Sequence, residues 1–131
     1  MPDSEKITIN LGLVDLGKID LLVEESFYSN RADFIRTAIR NLLDAHQDVV
    51  KQVSVRRSFV LGVLIYDHKD LEKAQAKGTM YDIRVIGAVV LADDITPELA
   101  LATIQRIQVY GGLKASPEVK EALAERIKPL G

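Results

Sequence analysis

The sequence predicts an α+β chain in two parts. Residues 1–50 read as a strand followed by two helices, 51–57 as a linker, and 58–131 as a small α/β domain of strand–helix repeats. Three observations carry this. The stretch "KITINL" (residues 6–11) alternates polar and apolar side chains, the period of a strand with one wet and one buried face. Apolar residues then recur at helical spacing as far as His46. Past residue 58 an apolar–apolar–Gly core appears three times, at Val60-Leu61-Gly62, Val85-Ile86-Gly87 and Val109-Tyr110-Gly111, the glycines 25 and then 24 residues apart.

Composition narrows the classes. Of 131 residues, 47% are apolar and 27% charged, which is ordinary globular usage. The absence of cysteine excludes disulfides, thiol nucleophiles and thiolate metal sites. The first dozen residues lack a signal-peptide pattern, and the longest apolar run, "FVLGVLIY", is too short to span a bilayer. A soluble cytoplasmic protein with no membrane partner is expected. Net charge is −2, split unevenly: residues 1–50 carry 5 Lys/Arg against 9 Asp/Glu, residues 51–131 carry 12 against 10. Binding to nucleic acid must therefore come from locally placed groups rather than bulk charge.

In the first helical segment, "LVDLGKIDLLVEES", Leu16, Ile19, Leu22 and Val23 share a face, and Asp15 is a candidate cap for its start. "FYSN" supplies the turn. The second helix, "SNRADFIRTAIRNLLDAH", has Asn30 as N-cap and Asp33 three residues on as its capping-box answer. Phe34, Ile35, Ala38, Ile39, Leu42 and Leu43 form its apolar stripe, while Arg36 and Arg40 read as a solvated outer face. One strand and two helices of this length cannot bury both stripes and a strand edge. Two copies can, if their strands pair antiparallel and four helices close over a shared core. That core is expected to hold Ile7, Ile9, Leu11, Ile35 and Ile39.

The string "ITINL…LGKIDLLVEESFYSNRADFIRTAIRNLL" resembles the ribbon-helix-helix family of DNA-binding proteins (the Arc/MetJ/CopG class) over residues 6–46. Its most specific part is "YSNRADFIRTAI", the family's usual opening of the second helix: an aromatic, two small polar residues, Arg, a small residue, an acid and an apolar-Ile-Arg triplet. The resemblance implies a homodimer whose intermolecular two-stranded ribbon enters the major groove of double-stranded DNA. By position Lys6, Thr8 and Asn10 would read bases, with chemistry suited to guanine acceptors and adenine edges. It also implies a phosphate anchor at the start of the second helix, on Ser29, Asn30 and Arg31. Gly12 stands where many members have proline, and the strand carries no arginine, so modest single-site affinity is expected.

Each repeat reads as an apolar strand, a turn and a short helix, with the strands parallel. Thr96-Pro97-Glu98 and Ser116-Pro117-Glu118 open the later two helices: a hydroxyl cap, proline at the first helical position and an acid facing the dipole. The period favours three units stacked in a solenoid-like way over a compact α/β sheet. Such a domain is suited to oligomerisation or to receiving a partner.

No cofactor, metal site or catalytic set is implied. His46 and His68 are the only histidines, too few for a nickel-sensing set, and Asp93-Asp94 sits where helix capping accounts for it. No phosphate-binding loop or nucleophile–base spacing appears, so an enzyme is not expected. The expected function is a sequence-specific transcriptional regulator, a repressor. The rival is an interaction or scaffold module, antitoxin-like, in which DNA binding is secondary.

Overall fold

Residues 4–128 are described in the computed structural model, a mixed helix-and-sheet structure of two units, 4–53 and 54–128.

In the first unit, residues 4–12 form no helix and pair with no strand among the described residues. Helix α1 (Leu13–Glu24) begins two residues before the expected cap: Gly12, extended, holds the N-cap position, and Asp15 lies in the first turn, where its charge meets the dipole. Its buried contribution is Ile19. The helix closes with paired bonds from Ser26 N–H to Val23 O and from Phe27 N–H to Leu22 O. Ser26 takes the left-handed conformation (φ 66°) that this ending requires.

Helix α2 (Arg31–Ala45) starts at Asn30, whose side chain accepts from Asp33 N–H at 2.8 Å. Asp33 answers one residue further back than expected, accepting from Ser29 N–H at 2.9 Å. Tyr28 meets Phe34 edge-on at 5.0 Å, pinning the turn to the first helical turn. Residues 51–56, expected as linker, are helical: α3 (Gln47–Arg56) follows α2 after a single residue. Val49, Val50 and Val53, spaced for one helix face, explain the extension.

The second unit runs β1 (Val60–Tyr66), α4 (His68–Ala76), β2 (Tyr81–Leu91), α5 (Pro97–Thr103), β3 (Ile104–Lys114), α6 (Pro117–Ala122) and a 3-10 turn (Ala124–Arg126). The strands are parallel in the order β1-β2-β3. Register places Gly62 opposite Gly87 and Gly87 opposite Gly111, so the three repeat glycines form one row across the sheet. All three have positive φ, 141°, 139° and 121°. A Cβ on Gly87 would overlap Gly62 O and lie 2.9 Å from its carbonyl carbon, and one on Gly111 would meet Gly87 in the same way. Each neighbouring carbonyl thus occupies the space a side chain would need.

This row is where the strands turn. Tyr66 is opposite Leu91, ten positions along β2 from Tyr81, yet the Tyr66 and Tyr81 rings are 5.2 Å apart. Laid out straight, ten residues of strand span about 33 Å, far beyond the reach of two tyrosines. The sheet therefore folds round a corner with both rings inside it, and glycine supplies the backbone freedom such a corner demands.

Inside the corner lies one core of Val85, Val89, Leu91, Ile104, Ile107 and their neighbours, closed by Leu71 of α4, Leu99 and Ala100 of α5 and Val119 of α6. All three helices thus lie on one side of the sheet, as consecutive crossovers of one hand dictate. Side chains cap them: Asp67 with Asp70 in a reciprocal box for α4, Thr96 for α5 and Ser116 for α6. After α6, Ile127 bridges to Ile107 on the outer edge of β3, and Arg126 donates to Leu101 O and Ile104 O.

Candidate nucleic-acid interface

Lys6, Thr8 and Asn10 are exposed, and among the described residues they make no hydrogen bond or ion pair within the chain. The apolar residues that alternate with them are exposed too: Ile7 is 73%, Ile9 55% and Leu11 40% accessible. A segment with no ladder and an unburied apolar side is incomplete in a single chain. Helix α2 is in the same state. It has no buried residue; Ile39, Leu42 and Leu43 are exposed, and Ile35 is half-buried.

Ser29, Asn30 and Arg31 come together at the start of α2, beside a shallow cleft of about 330 Å³ lined by Ser26, Tyr28, Ser29 and Asp33 among others. Asn30 is occupied as the cap and Ser29 N–H is held by Asp33. Arg31 reaches back to α1, where Nε donates to Asp20 Oδ1 at 2.7 Å and a terminal nitrogen to Oδ2 at 2.8 Å. That bidentate hydrogen bonding holds the Asp20 carboxyl below its ordinary pKa and raises that of Arg31. Two of the five guanidinium donors are used, which leaves three and fixes the plane in which they point. The Asp20–Arg31 pair was not foreseen from the sequence: the partners are eleven residues apart and on different helices, and only the charges hinted at it.

In the second unit, His68 Nδ1 is 2.7 Å from Glu72 Oε1, and Asp94 accepts from the His68 backbone N–H, serving the start of α4 rather than its own helix. Arg57 lies over the Phe59 and Tyr110 rings at 5.0 and 5.4 Å. Among the described residues no group of three or more His, Asp or Glu is placed to hold a metal ion, and no helix is long and apolar enough to cross a membrane.

The profile of the Ribbon-Helix-Helix transcriptional regulator family matches residues 2–120. The chain belongs to that family, a family of DNA-binding transcriptional regulators. The match extends well past the stretch in which the resemblance is legible by eye, through all three strands of the second unit. No curated protein and no solved structure matches the chain.

Proposed function

We propose that the chain acts as a homodimeric, sequence-specific repressor that reads the major groove with a ribbon formed by residues 6–11 of two copies. The observation that carries this is the segment itself: strictly alternating, exposed on both sides, and without a strand partner among the described residues. Antiparallel pairing of two copies satisfies its backbone edges and buries Ile7, Ile9 and Leu11 against Ile35 and Ile39, leaving Lys6, Thr8 and Asn10 on the DNA side. At the start of α2, the Ser29 hydroxyl, the free donors of Arg31 and the first N–H groups take a backbone phosphate. Residues 1–50 serve as the dimerising DNA-binding part. The repeats of 58–131, stacked in a solenoid-like way, link dimers on adjacent half-sites in the cytoplasm.

The test is a gel-shift selection from random duplexes, followed by variants on the selected site. Thr8→Ala or Asn10→Ala should cost about 1–3 kcal/mol on that site and little on random DNA. Arg31→Ala should weaken both about equally and flatten the salt dependence. If all three act alike on specific and random DNA, the ribbon does not read sequence.

A further inference from the structure

We infer that the helix-free face of the β1-β2-β3 sheet is covered by the same face of a second copy of this chain. All three helices lie on the other side, so this face has no cover of its own over most of its area. Row by row along the register it presents Leu61, Ile86 and Tyr110, then Val63, Ala88 and Gly112, then Ile65, Val90 and Lys114. Purely parallel sheets are covered on both faces, and their strands read as unbroken apolar runs because neither side meets water. "VLGVLIY" and "VIGAVVL" are such runs, yet Leu61, Val63 and Ile65 are 54%, 49% and 53% accessible.

The occupant follows from three properties of the patch. The middle row holds no charge: charge lies at the margins, in Lys114 at one corner and in the Arg57 guanidinium over Tyr110, and beyond one end Arg84 and Arg106 share the Asp82 carboxylate. A two-fold contact lays a patch on itself, and a patch without charge in its middle meets no like charge when it does so. The exposed fractions amount to on the order of 500 Å² of apolar surface, the size of the largest and often functional patch of a monomer. Two copies then bury about 1,000 Å² together, which reaches the lower bound of a specific interface. Finally, β1 is an edge strand lacking proline, lysine or a bulge to protect it, so a specific closure guards against open-ended association. None of this depends on what the first unit binds.

The row Val63–Ala88–Gly112 has the smallest side chains, so two faces approach most closely there. The chain has no cysteine, and Ala88→Cys gives the full-length protein a single thiol at that point. With a short bismaleimide at low micromolar protein, Ala88→Cys should form a covalent dimer. Its labelling by a monofunctional maleimide should be at least tenfold slower than that of Gln75→Cys on exposed α4. Adding Val63→Glu, or Leu61→Lys should the first variant fail to fold, should abolish the cross-link and restore fast labelling with unchanged circular dichroism. Fast labelling of Ala88→Cys without a cross-link overturns the inference, as does a cross-link that survives the charged substitutions. An Ile9→Asp chain that keeps the cross-link separates this contact from the ribbon.

Discussion

Gly62 and Gly87 share a backbone conformation but not a neighbourhood, which makes the pair a direct test of the glycine row. Alanine at Gly62 (φ 141°) meets nothing within 4 Å, so its cost is conformational only, about 1–3 kcal/mol for a region of φ,ψ space that side chains avoid. Alanine at Gly87 (φ 139°) carries the same cost and also drives Cβ into the Gly62 carbonyl. That neighbour is backbone held in the β1–β2 ladder, so it yields only if a strand moves, an overpacking cost of about 1–3 kcal/mol more. Gly87→Ala should therefore lose about 2–6 kcal/mol, a large part of the 5–15 kcal/mol typical of a domain. Urea unfolding followed by circular dichroism measures this. With a slope of about 1–3 kcal/mol per molar, the extra cost of about 1–3 kcal/mol should place the Gly87→Ala midpoint on the order of 1 M below that of Gly62→Ala, and Gly111→Ala should fall with Gly87→Ala. Equal midpoints for Gly62→Ala and Gly87→Ala would refute the carbonyl contact. A wild-type midpoint for all three would refute the corner itself.

Two further outcomes are expected in the first unit. Ile9→Asp places a charge where a single chain is 55% accessible and a paired ribbon is buried. Light scattering and circular dichroism should show loss of the dimer together with helical signal, and a well-folded, fully helical monomer would exclude the shared ribbon. Ser26→Gly removes a side chain from a left-handed position (φ 66°) and should stabilise this unit by about 1 kcal/mol, read as a raised unfolding midpoint. No change would mean that Ser26 makes a compensating contact.

Local chemistry was the most legible part of the sequence. Thr96-Pro97 and Ser116-Pro117 cap their helices as written, because a cap needs only its own first turn. Asp67 was missed as a cap for α4, since aspartate in both places of a capping box is an unusual spelling of that signal. The repeat glycines were visible as a period, and the parallel order of the strands followed from it. Their opposed carbonyls were not visible, because that contact exists only across strands. The face left open by α4, α5 and α6 was hidden for another reason: an apolar run marks a strand that wants cover on both sides, but not which side its own chain covers. In the candidate interface, Ser29, Asn30 and Arg31 were brought together by a turn that is local in sequence, whereas the hold of Asp20 on Arg31 required the packing of two helices.

The glycine row also sets rules for how this domain can change length. Because each glycine carbonyl fills the place of the next glycine's missing side chain, the strands are keyed like teeth, and a one-residue slip of β2 would set Val85 or Val89 towards solvent. Insertions in the loops between α4 and β2, or between β2 and α5, leave the teeth engaged. Deleting one residue within a strand does not. Growth by a whole unit is compatible with the same keying if the new unit brings its own glycine, and the bridge of Ile127 to Ile107 marks the edge at which another course would be laid.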